Sequence, residues 1–104
     1  MFVKLETIKD DLANFVNEVR MKYPVDKAML FGSYAKGCAT KHSDVDVCFF
    51  MGYDGASSFD NGVDILGISS KYHRLDIEPR IYSTSEIERG NPFVMEILKT
   101  GIEI

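Results

Sequence analysis

The chain has 104 residues, of which 45% are hydrophobic and 27% charged, and this composition fits one small domain with a packed core. The formal net charge of −4 argues against stable binding to long nucleic acids, which need a basic surface. No apolar run approaches the ~18 residues of a membrane-spanning helix, and the N-terminus lacks the pattern of a signal peptide. We therefore expect a cytoplasmic protein that forms a single domain over residues 1–104.

Hydrophobic periodicity divides the chain into helices and strands. Apolar residues that recur every three or four positions indicate amphipathic helices, and short apolar runs or alternation indicate strands. In chain order the predicted elements are a helix over residues 4–22, a strand over 27–31, a short helical segment over 32–35, a strand over 44–51, a helix around 63–72, a strand over 74–82, a short helix with a capping box at 83–86, and a helix from Asn91-Pro92 to Gly101.

This order of elements predicts an α/β (α+β) fold. We expect a small mixed sheet of about three to four strands with helices packed against one face. Pro79 is expected to place the third strand at an edge of the sheet, because proline cannot donate a hydrogen bond to a neighbouring strand.

Two carboxylates, Asp44 and Asp46, stand at the start of the second strand. Side chains two positions apart in a strand project from the same face, so these two are separated by roughly 6.5–7 Å along the chain. Val45 and Val47 then face the core. Carboxylates at the edge of a hydrophobic strand are costly unless a cation joins them. Mg²⁺ is the simplest candidate, because it binds a few carboxylates together with substrate phosphates.

A glycine-serine pair, Gly32-Ser33, follows the first strand directly. A turn from a strand into a helix offers backbone N–H groups and a hydroxyl to a phosphate, and glycine lets the backbone approach closely. The spacing from Gly32 to Gly37 also matches a P-loop, but Cys38-Ala39 follows where that motif requires Lys and Ser or Thr. The turn is therefore a candidate phosphate site of another kind.

Other polar residues near this turn are weaker candidates. Lys36 and Lys41 could steer a triphosphate, although lone lysines are more often solvated surface residues. Ser43 could hold a carboxylate in place or only satisfy its own turn. We include Lys36 and Ser43 among the candidate nucleotide-binding residues. Cys38 and Cys48 are expected to be free thiols without a catalytic role.

A third carboxylate on the third strand would complete a cluster suited to two metal ions, which lie roughly 3.5–4 Å apart in such sites. Asp76 and Glu78 share one face of that strand, and the sequence favours neither. Such a cluster is suited to attack on the α-phosphate of a nucleotide, with pyrophosphate as the leaving group. The metal ions would neutralise the phosphates and lower the pKa of the attacking hydroxyl.

The pattern of Gly32-Ser33, ten intervening residues, Asp44 and Asp46 closely resembles the signature of the DNA polymerase beta-like nucleotidyltransferase superfamily. The segment FGSYAKGCATKHSDVDVCFF is similar to its minimal nucleotidyltransferase branch, and the resemblance covers nearly the whole chain. It implies that Gly32 and Ser33 bind the β- and γ-phosphates of a nucleoside triphosphate, and that Asp44 and Asp46 bind Mg²⁺.

The resemblance leaves the third carboxylate open. Family members place one carboxylate on the following strand, where Asp76 matches the commoner Asp and Glu78 matches members with an Ile-Glu-Pro segment, as in Ile77-Glu78-Pro79 here.

Stand-alone members of this branch are typically encoded beside a small helical HEPN protein that is an RNase toxin. The nucleotidyltransferase is then the antitoxin, and it transfers AMP from ATP to a tyrosine hydroxyl of the toxin. The resemblance thus implies an Mg²⁺-dependent protein adenylyltransferase. Two alternatives remain, namely a subunit of a small-molecule nucleotidyltransferase whose partner supplies the acceptor pocket, and an antitoxin that neutralises its partner by contact alone.

Overall fold

A four-stranded mixed sheet forms the centre of the protein in a computed structural model that describes all of residues 1–104. Its strands are β1 (Val25–Phe31), β2 (Val45–Met51), β3 (Ile77–Ser83) and β4 (Ile102–Glu103). They lie in the order β3-β2-β1-β4, with β2 parallel to β3, and with β1 antiparallel to both β2 and β4. The predicted mixed sheet and the edge position of β3 are confirmed.

Four helices complete the fold, and none of them is both long and apolar enough to cross a membrane. They are α1 (Lys9–Lys22), α2 (Phe59–Ser69), α3 (Ser85–Glu88) and α4 (Pro92–Thr100), and a 3-10 turn at Leu5–Thr7 precedes α1. Asn91 begins α4 as predicted, because its Oδ1 accepts hydrogen bonds from the backbone N–H groups of Phe93 at 3.0 Å and Val94 at 3.4 Å.

Helices cover both faces of the sheet, so the prediction of a single covered face is wrong. The helices α1 and α2 pack over the face that carries Val47. The helix α4 places Val94 and Ile97 against the opposite face, around Phe50. The reason lies in β2, where residues 47–51 are all fully buried. A strand buried on both faces requires a layer on each side of the sheet.

Two local predictions also differ from the structure. The segment after β1 forms hydrogen-bonded turns in place of a short helix, with the Lys36 N–H donating to the Gly32 carbonyl at 3.1 Å. The expected capping box at the start of α3 is absent, because its N-cap, Thr84, makes no side-chain cap bond. The Ser83 hydroxyl accepts a hydrogen bond from the Ser85 N–H at 3.4 Å. The short strand β4 was not predicted from the sequence.

Candidate active site

Four carboxylates meet where the parallel strands β2 and β3 begin. In the register of the two strands, Asp46 stands opposite Glu78. One step before the strands, the Asp44 carboxyl lies within hydrogen-bonding reach of the Asp76 carboxyl. The Val45 N–H donates to the Asp76 carbonyl at 2.7 Å, which fixes the two chains side by side at this point. The structure therefore brings together all four acidic residues that the sequence singled out.

Two carboxyl groups of the cluster, Asp46 and Asp76, have a raised pKa. Burial raises the pKa of Asp46, and the charges of Glu78 and Asp44 raise it further, while Arg80 opposes the shift. The contact with the Asp44 carboxyl raises the pKa of Asp76. None of the four takes part in the ion pairs of the chain, which all lie elsewhere. The cluster is therefore an excess of negative charge that Arg80 offsets only in part.

The Gly32 backbone contacts this cluster directly. Gly32 has a φ of +73°, and a Cβ atom built at this position would overlap the Oδ2 atom of Asp46. The position therefore requires glycine both for its left-handed backbone and for the space that the carboxylate occupies. Ser33 follows, half-buried, in the same turn. The candidate phosphate-binding turn and the strand carboxylates thus adjoin.

The two weaker candidates lie near the cluster with different contacts. The Ser43 hydroxyl accepts a hydrogen bond from the Thr40 N–H at 2.8 Å, so it closes its own loop and holds no carboxylate. Lys36 is exposed on the turn and forms no ion pair. Cys48 packs in the α4-side core, and burial raises the pKa of its thiol to about 12.

The sequence missed two features beside the cluster. Arg80 acts on Asp46, and its guanidinium lies 5.2 Å from the centre of the Phe93 ring. Its position two residues after Glu78 on the same strand face was a usable signal. A cavity of about 510 Å³ also opens at Asp76, lined by Tyr34, Lys41, His42, His73 and Arg74 among others. No sequence pattern indicated this cavity, because its walls come from separate loops.

The donor set of the cluster fits a divalent metal ion. Carboxylate oxygens are the ligands that Mg²⁺ prefers, and a bound cation would balance the negative charge that the protein leaves uncompensated. As positioned, no three His, Cys, Asp or Glu side chains are arranged around one point to hold a metal ion. The acids instead form two neighbouring pairs, Asp44 with Asp76 and Asp46 with Glu78.

The fold and this site define the class of the protein. Residues 12–99 match the family described as the nucleotidyltransferase domain, so the chain belongs to that family and is a transferase of nucleotidyl groups. The mixed four-stranded sheet with four helices agrees with the polymerase beta-like nucleotidyltransferase fold. Domains of this family generally use divalent metal ions.

One relative is similar over almost the full length of both chains. It is a protein of Methanocaldococcus jannaschii named "Putative protein adenylyltransferase", which is 26% identical over 98 residues. The aligned region covers 94% of this chain and 94% of the relative.

Proposed function

We propose that this chain is an Mg²⁺-dependent protein adenylyltransferase that transfers AMP from ATP to a hydroxyl group of a protein partner. We further propose a tyrosine of a helical HEPN RNase toxin as the acceptor, with the chain acting as its antitoxin. The observation that carries the proposal is the meeting of four carboxylates with the Gly32 backbone at one end of β2 and β3. The choice of a protein acceptor is supported by the family resemblance and by the name of the archaeal relative.

In this reaction the acceptor oxygen bonds to the α-phosphorus while the bond from that phosphorus to the bridging oxygen breaks. Pyrophosphate leaves, and the proton of the hydroxyl passes to solvent. The N–H groups of Gly32 and Ser33 and the Ser33 hydroxyl would hold the β- and γ-phosphates and so orient the leaving group. Lys36, exposed on the same turn, would attract the triphosphate.

The carboxylates of this chain would bind the metal ion. Asp44 and Asp46, together with Asp76 or Glu78, would hold Mg²⁺. A bound metal ion would neutralise charge on the phosphates and lower the pKa of the acceptor hydroxyl. Ser43 would act indirectly, because its hydrogen bond to Thr40 shapes the loop that leads into Asp44.

A labelling experiment tests the proposal. The purified protein is incubated with Mg²⁺ and each of the four α-labelled nucleoside triphosphates, with and without a helical HEPN protein encoded beside it. We expect label on the helical protein with ATP, and mass spectrometry should map the added AMP to a tyrosine. The double variant Asp44→Asn with Asp46→Asn should lose transfer by about 100-fold or more, because several kcal/mol of metal-dependent stabilisation are removed.

A matched control removes two charges elsewhere. Asp54 and Glu96 are exposed and form no ion pair, so Asp54→Asn with Glu96→Gln should keep full transfer. Absence of label with every nucleotide would contradict the proposal. If the Asp44 and Asp46 double variant still protected cells from the toxin, neutralisation by contact would replace it. Label that appeared only on a small molecule would favour the small-molecule alternative.

A further inference from the structure

The cavity beside Asp76 has a polar rim built from two loops. Lys41 and His42 come from the loop before β2, and His73 and Arg74 come from the loop before β3. These two loops also carry the carboxylates Asp44 and Asp76, so the rim and the carboxylate cluster are held by the same short segments. A group bound in the cavity would therefore lie next to the cluster.

The polar groups of this rim have no partners within the protein. Lys41 and Arg74 take part in none of the four ion pairs of the chain. The rings of His42 and His73 are exposed and make no hydrogen bond to another residue. Tyr34 is only 8% exposed and lines the cavity, yet its hydroxyl also has no partner in the chain. These groups are available as donors for an anionic oxygen.

The cavity lies on the other face of the sheet from the contact between Gly32 and Asp46. Val45 and Ile8, which belong to the core under α1 and α2, form part of its lining. Asp46 projects from the opposite side of β2, because neighbouring residues of a strand point to opposite faces. The phosphates of a nucleotide held at Gly32 would therefore not fill the cavity, and the carboxylate cluster would lie between the two ligands.

The shape and charge of the surface indicate which anion fits. Two depressions adjoin the cavity: one beside Phe2 shares Lys41 and His42 with it, and one lined by Asp11, Lys71 and Tyr72 shares His73 and Arg74. An extended chain of several residues can lie along this path. The net charge of −4 repels a polyanion such as RNA, whereas two local cations suit a segment with only one or two carboxylates.

We infer that the cavity is the acceptor subsite and binds an acidic peptide segment. Lys41 and Arg74 bind a carboxylate of the segment, and a hydroxyl side chain next to that carboxylate is then placed at the Asp44 and Asp76 pair. The inference rests on the proposed function, because it specifies the chemistry of the acceptor in that reaction.

Peptide titrations followed by amide NMR spectra test this inference. The ¹⁵N-labelled full chain is first saturated with Mg²⁺ and α,β-methylene-ATP, which resists cleavage at the α-phosphate. Two blocked pentapeptides with a central tyrosine are then titrated, one flanked by glutamates and the other by glutamines. We expect the glutamate peptide to shift the amide signals of residues 41–43 and 73–76, and to bind at least about tenfold more tightly, as charge-assisted hydrogen bonds allow.

A pair of charge-removing variants provides the control. Lys41→Ala with Arg74→Ala should abolish the preference for the glutamate peptide, and both side chains are exposed and unpaired, so the fold should persist. Lys9→Ala with Lys99→Ala removes the same net charge at exposed positions outside the cavity and should leave the preference unchanged.

Several results would overturn the inference. These are equal affinity for the two peptides, no shift of the cavity amides, or tighter binding of a five-nucleotide RNA at the same amides. Weaker binding of α,β-methylene-ATP by the Lys41 and Arg74 variant would assign the cavity to the nucleotide and would also overturn it. If α,β-methylene-ATP failed to bind while the glutamate peptide still bound in the cavity, the inference would stand and the proposed nucleotide site would be wrong.

Discussion

The carboxyl groups of Asp76 and Glu78 differ in what they contact. Asp76 lies within hydrogen-bonding reach of Asp44, whereas Glu78 acts on Asp46 through its charge alone. We therefore predict that Asp76 is the third acid of the site. Asp76→Asn should lower kcat by about 100-fold, whereas Glu78→Gln should lower it by less than about tenfold. The rate of AMP transfer from labelled ATP measures both effects, and circular dichroism checks that each variant is folded. The reverse order of the two losses would assign the role to Glu78.

The two glycines of the turn after β1 allow a matched comparison. Gly32 and Gly37 both have positive φ, at +73° and +74°, so alanine should cost about 1–2 kcal/mol of backbone strain at either position. Only at Gly32 would the new Cβ also collide with Asp46, since nothing lies within 4 Å of a Cβ at Gly37.

Gly32→Ala should therefore lose more stability than Gly37→Ala and should also lose about 100-fold in transfer rate, because it displaces a carboxylate of the site. Gly37→Ala should keep its transfer rate within about twofold of the wild type, since a Cβ at this position would displace no other residue. Urea denaturation and the kcat for transfer measure the two effects. Similar losses of activity in both variants would show that the contact between Gly32 and Asp46 is unimportant.

Spacing along the chain predicted which acids share a face within each strand, and the sequence analysis expected one acid of the third strand to join Asp44 and Asp46. The period of two in a strand places Asp44 and Asp46 on one face, and the same rule places Asp76 and Glu78 together on the next strand. Sequence alone could not choose between the last two, because that choice depends on the register of β2 against β3. Tyr34 contributes to the rim through folding of separate loops, which no local pattern records.

At the scale of the elements, two hydrogen bonds from tyrosine hydroxyls connect α1 with its neighbour. One reaches from the end of α1 to α2, and the other reaches from the segment after α2 back to α1. The Tyr23 hydroxyl donates to Asp64 at 2.5 Å, and the Tyr72 hydroxyl donates to Glu18 at 2.7 Å. Each carboxylate also forms an ion pair with a lysine. Both tyrosines hold their protons more strongly in the folded protein. Burial and the bond to Asp64 raise the pKa of Tyr23 to about 12, and the bond to Glu18 raises the pKa of Tyr72 to about 12.

These shifts predict a loss of stability in alkali. Because the folded-state pKa of each tyrosine lies above the ordinary value of 10.0, their contribution is complete below pH 10 and is lost as the pH rises toward 12. Wild-type melting temperature should therefore fall more steeply between pH 10 and 12 than that of Tyr23→Phe with Tyr72→Phe. At pH 7 the double variant should lose about 1 kcal/mol for each hydrogen bond.

Tyr82→Phe is the control for this measurement. The Tyr82 ring stacks on Phe50 at 6.1 Å between ring centres, and its hydroxyl makes no hydrogen bond, so this variant should follow the wild-type curve. If the wild type and the double variant lost stability in parallel above pH 10, folding would not raise the pKa of Tyr23 and Tyr72.

The sequence was sufficient to predict which segments form helices and strands, but not that helices cover both faces of the sheet. Hydrophobic periodicity located α1 and the strands β1 to β3, and Asn91-Pro92 located the start of α4. The strand β4 has only two residues, Ile102 and Glu103, which is too short for any period to be recognised. Its pairing with Met29 and Leu30 depends on how α4 returns the chain to the sheet. Likewise, the fully buried run in β2 indicated a strand without showing that both of its faces would be covered.

At the scale of the whole molecule, the strand β2 belongs both to the core and to the candidate active site. The core needs buried apolar side chains, whereas the site needs charged ones. Residues 47–51 of β2 are fully buried and hold the two layers together. Directly before them, Asp46 is half-buried among like charges. A rigid strand can therefore position the carboxylates accurately, but the close approach of their charges should reduce the stability of the protein when no cation is bound.

This conflict predicts that removing the carboxylates stabilises the metal-free protein. In EDTA, Asp44→Asn with Asp46→Asn should melt about 4–8 °C above the wild type, which corresponds to about 1 kcal/mol for a domain of this size. Adding Mg²⁺ with α,β-methylene-ATP should reverse the order, because a ligand at 100 times its dissociation constant stabilises the wild type by about 2.7 kcal/mol and the variant hardly binds it. Asp54→Asn with Glu96→Gln should follow the wild type under both conditions. A double variant that melted below the wild type in EDTA would show that the attraction between Asp46 and Arg80 outweighs the repulsion among the acids, and the carboxylates would then support the fold as well as the site.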